Sequence, residues 1–343
     1  MIAEESKPSI PKPFNIFESQ YSQDTYSGRF MTLFSVQNPM NFFLPHKRIE
    51  EAKNLIDNEQ RLQKQSSKIY NDYSEEKVKE LIKSKNIVAS AVHPETGEYI
   101  PRIMRMCAYA PMSIPTLFGF ILSKPTTFNI IFWQWANQTL SAGMNYSNRS
   151  ASSSLDTKGI AMAYSAAVSA SIGVGLGMRK LLTPLSKRIT GPGNLFVNFL
   201  ISLAAVGSAG FINLLIMRSK EIKEGITLTD HEGVERGKSK IIGKSAVIST
   251  AFTRFLMPIS PLLLPTLAFY QLEKKKMIPK NKLAKISLET VIFFLCLSIS
   301  PPLSCALFRQ TGIARTRTIE PEFQNLLDSQ GNSVTELYYN KGI

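Results

Sequence analysis

Five apolar stretches dominate the chain after residue 100, each close to the roughly 20 helical residues needed to cross a hydrocarbon core. They fall at about 103–123, 159–178, 195–217, 246–272 and 286–308. Inside a bilayer every backbone N–H and C=O has to be satisfied within the protein, so runs of this kind are expected to be helices. The expected fold class is therefore all-α: a polytopic membrane protein with about five transmembrane helices and an N-terminal soluble or surface-lying helical region. Three parts follow: that region at 1–100, a transmembrane helical bundle at 101–310 and a C-terminal tail at 311–343.

The first hundred residues are charged and polar, with helical periodicity. "HKRIEEAKNLIDNEQRLQK" sets Ile49, Ala52, Leu55, Ile56 and Leu62 on one face. "SEEKVKELIKSKN" opens with Ser74 as an N-cap and carries Val78, Leu81 and Ile82 as its apolar side. "VHPETGEYIP" then turns the chain. A catalytic reading of His93 and Glu98 there lacks a nucleophile or metal beside it, and a rigid turn docking the amino-terminal region onto the bundle is the expectation.

Charge patterning bounds the function. The net charge of +14 comes from Lys and Arg concentrated in connectors such as "RKLLTPLSKR" and "EKKKMIPKNK", which is how topology is signalled and not how nucleic acid is gripped. With five spans, the short basic connectors at 179–194 and 273–285 share a side with the amino terminus, and the carboxyl terminus lies opposite. The start, "MIAEESKPSIPKPF", has neither a basic n-region nor an apolar h-region, so no secretory signal or cleaved presequence is expected. Three dispersed cysteines and three dispersed histidines offer no disulfide framework and no metal spacing. No cofactor, no metal, no nucleic acid and no enzymatic step are expected.

Two features inside the apolar half stand out. The second stretch spaces Ala161, Ser165, Ser169, Gly173 and Gly177 four apart, a ribbon of small side chains against which another helix is expected to pack. The overlapping "GVGLG" lies inside an uncharged run and not between a strand and a helix, so it is no dinucleotide loop.

The second feature is "QWANQTLSAGMNYSNRSAS", residues 134–152, where three asparagines, two glutamines and an arginine stand at or near membrane depth. As a helix it lines up Gln134, Asn137, Ser141, Asn145 and Asn148 on one face, which has to meet protein or water. Amides offer donors and acceptors to a zwitterion bearing a hydroxyl, and Arg149 can grip a carboxylate through two N–H groups. The competing reading is that these amides join helices. Arg254, just before Pro258, Pro261 and Pro265, and Glu289 in the fifth stretch are intramembrane charges and hence candidates for a substrate path.

In order along the chain, these segments resemble the sideroflexin family. "SQDTYSGRF" is similar to its amino-terminal pattern, with Asp24, Gly28 and Arg29 in place and Tyr21 where the family has tryptophan. "HPETGE" matches the family's HPDTGE, and residues 134–149 match its QWxNQSxNAxxNYxNR signature, Gln138 included. "MRSKEIKEGITLTDHEGVERGKSK" and "PPLSCALFRQTGIARTRTIEPEFQ" continue the likeness, with Arg309 at a family proline and Ser304 at a cysteine. The resemblance implies a mitochondrial inner-membrane transporter of small amino acids, serine foremost, feeding one-carbon metabolism. The amino terminus would face the matrix and the carboxyl terminus the intermembrane space. The polar stretch and the intramembrane charges together make a candidate substrate site among Gln134, Asn137, Gln138, Asn145, Asn148, Arg149 and Arg254, with Asp24, Arg29, His93, Glu98 and Glu289 expected to be structural or gating. The partners implied are a small amino acid, the lipid bilayer, and a homo- or hetero-oligomer. Rival readings are a non-transporting scaffold or respiratory-complex assembly factor, and a citrate carrier.

Overall fold

The structure is a computed structural model describing residues 14–65, 73–94, 96–124, 126–148, 157–186 and 193–342. The amino-terminal region holds α1 (Tyr26–Val36), α2 (His46–Gln65) and α3 (Glu75–Ala91). Ser74 caps α3 as its spacing predicts, its Oγ accepting from the Lys77 amide at 3.2 Å. α2 and α3 close on two small apolar clusters: Ile56, Val78 and Leu81 meet Phe14 and Ile16 in one, and Ile49 and Ala52 meet Ile87 and Ala91 in the other. Leu62, expected on that face, is exposed instead.

The bundle follows as α4 (Tyr109–Leu122), α5 (Thr127–Ser147), α6 (Thr157–Ser186), α7 (Gly193–Met217), α8 (Ser219–Glu224), α9 (Lys240–Leu256), α10 (Ile259–Lys274) and α11 (Lys282–Cys305). Among the described residues four stretches are long and apolar enough to cross a membrane: Ala161–Leu182, Phe199–Met217, Lys240–Lys274 and Lys282–Cys305. The first expected span differs. It begins with two 3-10 turns, Arg102–Met104 and Met106–Ala108, and its helix α4 has 14 residues. At 1.5 Å per residue α4 reaches only about 21 Å, and it packs against α5, the helix carrying the polar stretch.

The third of these stretches is broken where α9 gives way to α10 at Met257 and Pro258. Prolines at 258, 261 and 265 cannot donate to the carbonyls four residues earlier, which frees those of Arg254, Met257 and Pro261. The Ser300 hydroxyl of α11 takes the Met257 carbonyl, and Ser260 Oγ donates to Cys296 O at 2.8 Å. A break at membrane depth is thus repaired by the neighbouring helix.

The all-α expectation needs one correction. β1 (Ile226–Thr229) and β2 (Glu235–Ser239) form a hairpin between α8 and α9, and β3 (Thr311–Arg315) and β4 (Glu336–Asn340) of the tail complete a sheet in the order β2-β1-β4-β3, every pair antiparallel. Ile226, Leu228, Ala314, Leu337 and Tyr339 turn into its core beside Phe323. The segment expected as a tail supplies two of the four strands of this sheet. Its end is clamped by a buried ion pair: Arg218 grips Glu221 at 2.9 and 2.5 Å and donates to the carbonyls of Lys341 and Gly342 at 2.8 and 3.1 Å. Glu320 caps α9, accepting from the amides of Lys240 (2.7 Å) and Ile241 (3.0 Å) and from Ser239 Oγ (2.6 Å). Partial burial pushes the Glu320 carboxyl up, but those hydrogen bonds outweigh it and hold the group below its usual range.

The two terminal regions meet. Tyr26 donates to Leu303 O at 2.8 Å, Arg29 Nε to Ala306 O at 2.7 Å, and Arg309 pairs with Asp24. The amino-terminal helices and the start of the tail are therefore in contact at the carboxyl-terminal end of α11.

Candidate functional site: a buried arginine among amides

α7 and α9 run antiparallel and unusually close. A Cβ on Gly207 would stand 2.7 Å from Phe255 O, and one on Gly210 3.3 Å from Arg254 O. These two glycines supply the close helix approach that was expected of the ribbon on α6. That ribbon instead faces outward: Ala161, Ser165, Ser169 and Gly173 are exposed, and nothing lies within 4 Å of a Cβ built on Gly173 or Gly177. α6 packs inward through Ala167 and Val168, around Ala142 and Met217.

The α7–α9 contact brings Arg254 to the interior, 9% exposed. Its Nε donates to Asn145 Oδ1 at 3.1 Å, and its Nη1 reaches Cys305 Sγ at 3.4 Å and Thr253 Oγ1 at 3.5 Å. Asn145 Nδ2 donates to Asn213 Oδ1 at 3.2 Å, and Asn213 Nδ2 reaches Gln138 O and Oε1 at 3.4 and 3.5 Å. Gln138, Asn145 and Asn213 are all buried. Among the described residues no carboxylate pairs with Arg254. A buried guanidinium with neutral partners alone keeps its charge uncompensated, an arrangement that favours an incoming anion.

Cys305 also lines a cavity of about 570 Å³ between α1, α2, α3 and the tail, which places Arg254 just behind that cavity's floor. Arg29, Lys53, Lys85 and Asp57 stand in its walls with Gln37, whose buried Oε1 has no hydrogen-bond partner among the described residues. Among the described residues Arg29 hydrogen-bonds to carbonyls alone: Ala306, Gln23 and Asp24. Burial depresses Lys341, and the charges of Arg29 and Arg309 lower it further, which shows how positive this region is. Lys85 is likewise lowered by burial, while its Nζ donates to Ile16 O and Glu18 O at 2.6 and 2.7 Å.

Of the sequence-selected residues, Gln138, Asn145 and Arg254 come together. Gln138 and Asn145 lie seven apart, so the buried polar stripe of α5 runs through Gln138 and not through Gln134 and Asn137, which are half-buried. Ser141 Oγ turns back to Asn137 O at 3.0 Å, and Asn148 donates to Met144 O at 2.7 Å and approaches Met104 O at 3.5 Å. Arg149 lies outside the described residues. Glu289 is half-exposed beside Lys285 Nζ at 4.0 Å, near the start of α11 and far along it from Cys305. His93 and Glu98 form the expected turn, closed by His93 N to Glu98 O at 2.8 Å and Gly97 N to His93 O at 2.9 Å, with Gly97 at φ +70°. Asn213 was missed, although a lone asparagine within "GFINLLIM" is the signal that points to it.

Apolar helices of spanning length, one of them broken beside a buried cation, define a multi-pass helical membrane protein with a polar interior. The particular family follows from comparison: the sideroflexin family model matches residues 15–343, and the chain belongs to that family. It is 34% identical to a sideroflexin of Dictyostelium discoideum over 334 residues, covering 96% of this chain and 98% of that one. It is 31% identical to sideroflexin-3 of Bos taurus and 31% to sideroflexin-1 of Mus musculus, each alignment covering 97% of this chain and 99% of the relative. No solved structure gives a significant match.

Proposed function

We propose that this protein transports serine or a similarly small amino acid across the mitochondrial inner membrane, supplying one-carbon metabolism, and performs no chemical step. Family membership supports a mitochondrial transporter-type role. The observation that carries the reading is Arg254: a buried cation with no carboxylate partner among the described residues, at a helix break, and in contact with Cys305, which lines the cavity. In this reading the substrate carboxylate meets Arg254. Its ammonium and hydroxyl meet the oxygens of Asn145, Asn213 and Gln138 and the carbonyl freed at Arg254. Arg29, Arg309 and Lys341 draw the carboxylate toward the cavity.

The same observation disfavours citrate, whose three carboxylates would meet one buried cation. A scaffold has less use for an uncompensated guanidinium in the bundle, because desolvating it costs several kcal/mol.

The orientation proposed with this reading rests on which helix ends carry the basic connectors. The helix ends at Ser186, Gly193, Lys274 and Lys282, which carry the two short basic connectors, lie at the end opposite the terminal regions. The positive-inside rule assigns the matrix to those connectors and the intermembrane space to both terminal regions.

Uptake of labelled serine, alanine, cysteine and citrate into liposomes holding the purified protein tests the function. Saturable serine uptake with no citrate uptake is expected. Absence of uptake of all four would leave the scaffold reading standing.

A further inference from the structure

α1 has two faces of opposite character. Arg29, Thr32, Leu33 and Val36 look into the cavity, while Tyr26, Phe30 and Phe34 stack up the other side, with ring centroids 6.5 and 5.8 Å apart. Tyr26 is 41% and Phe34 45% exposed, and the following 3-10 turn, Pro39–Phe43, adds Met40 at 64% and Phe43 at 57%. Large apolar side chains gathered in this way mark a surface that something covers.

The groove beside them, about 840 Å³, runs between this face and α3. It is lined by Phe34, Met40 and Leu44 on the apolar side and by Lys79, Lys83 and Glu75 on the other. Among the described residues neither Lys79 nor Lys83 has an ion-pair partner. Arg102, whose guanidinium carbon lies 4.8 Å from the Phe42 ring centre and whose Nε donates to Phe42 O at 2.6 Å, adds a further cation. Apolar rings beside unpaired cations fit the boundary between headgroups and acyl chains.

Position in the fold selects the occupant. Tyr26 is hydrogen-bonded to Leu303 in the last turn of α11, and α11 exposes Val291 and Leu295 on its outer surface. The aromatic face of α1 therefore continues a surface that already faces acyl chains, at the height where that helix leaves the bilayer. We infer that α1 and the Pro39–Phe43 turn lie in the membrane interface and that the groove holds an acidic phospholipid, its phosphate at Lys79 and Lys83 and its upper acyl chain against Phe34 and Met40. The amino-terminal region is then held by lipid as well as by α11, and this holds whether or not the protein transports amino acids.

The test uses the full chain, with Met40→Cys, Phe34→Cys and, as control, Leu62→Cys on α2, each labelled with a bimane fluorophore. The three native cysteines are buried. In vesicles containing phosphatidylcholine brominated high on the acyl chain, strong quenching is expected at positions 40 and 34, and little at 62. Separately, retention of phosphatidylglycerol over phosphatidylcholine, read by native mass spectrometry, should fall roughly fivefold for Lys79→Glu and again for Lys83→Glu. Unquenched labels at both 34 and 40 would overturn the inference, as would efficient disulfide cross-linking between Met40→Cys copies, which would show a second chain on this face. Quenching with unchanged lipid selectivity in the lysine variants would overturn the acidic-phospholipid site.

Discussion

Replacing Arg254 separates a binding role from a packing role, because the two move different quantities. A guanidinium meeting a carboxylate at two points contributes two charge-assisted hydrogen bonds, each about 1.5 to 3 kcal/mol. Arg254→Lys keeps the charge and loses one of them, a fall in apparent serine affinity of roughly tenfold to a hundredfold at 1.4 kcal/mol per decade. Arg254→Met loses both, or roughly a hundredfold to ten-thousandfold.

Stability should respond in another way. The methionine variant leaves Asn145 Oδ1 without the donor now 3.1 Å away, at a cost of about 1 to 3 kcal/mol. It also removes a buried charge whose desolvation costs several kcal/mol and which no described carboxylate compensates. The two terms offset, so Arg254→Met should melt within a few degrees of the parent protein or above it. The assay is labelled serine uptake into proteoliposomes across a concentration series, beside thermal unfolding of the same preparations. Wild-type uptake by Arg254→Met would refute the reasoning. A sharp drop in melting temperature matched by a proportional loss of uptake would place Arg254 in packing.

Gly207→Leu should abolish folding or abundance, since even a Cβ there meets the Phe255 carbonyl at 2.7 Å, whereas Gly173→Leu should be tolerated because nothing lies within 4 Å; equal abundance of the two by immunoblot would contradict the α7–α9 contact. Protease added to mitoplasts should remove the amino-terminal region and the tail together while sparing 179–194 and 273–285, and cleavage of one terminal region without the other would contradict their shared end. Glu320 and Asp230 are both held below their ordinary pKa in the fold; each is pushed up by burial but lowered further by hydrogen bonds, and in Asp230 by Arg236 as well. Their contribution to the sheet is complete above the unfolded values of 4.5 and 3.8 and is lost as pH falls through the lower folded ones. Amide exchange in 311–342 should therefore rise as pH falls below about 4, before the bundle helices open, and an unchanged exchange order between pH 7 and pH 3 would count against that clamp.

The apolar helices were legible because burial in lipid leaves a long, unbroken signal, and the α9–α10 break because three prolines announce it. The sheet was not. "ITLT" and "ELYYN" alternate as strands should, with Leu228, Leu337 and Tyr339 inward, but each is four or five residues long and pairs with a segment about a hundred positions away. No local pattern encodes such a partner. The ribbon on α6 shows another limit: small residues four apart make a smooth face, yet lipid and helix are both compatible with it. Gly207 and Gly210 carry the same kind of signal in a shorter form and prove to be the ones in contact. At the site, proximity in sequence favoured Arg149 as the partner of the amides. Arg149 lies outside the described residues, and packing delivers the other selected arginine, Arg254, to Asn145 from 109 positions away, together with Asn213, which sits alone among apolar neighbours in sequence.

In the proposed transport reading, access and binding are coupled through one turn of chain. Cys305 touches Arg254, and the next residue, Ala306, offers the carbonyl that Arg29 of α1 holds, so a shift of α1 against α11 cannot leave the site's floor in place. Arg309, three residues further on, pairs with Asp24 at a position where the family pattern has proline, which gives this chain an extra tie across the same seam. Both partners are well exposed, with side chains 44% and 74% accessible, and exposed pairs contribute about 0 to 1 kcal/mol. Restoring the proline in Arg309→Pro should therefore alter the opening equilibrium, and with it the maximal rate of serine uptake, by no more than about fivefold while leaving apparent affinity unchanged. Breaking the inner hold with Arg29→Met removes hydrogen bonds from a charged group to three carbonyls and should change the rate far more. If Arg309→Pro were the more damaging of the two, the gate would turn on the outer ion pair and the coupling through Ala306 would be wrong.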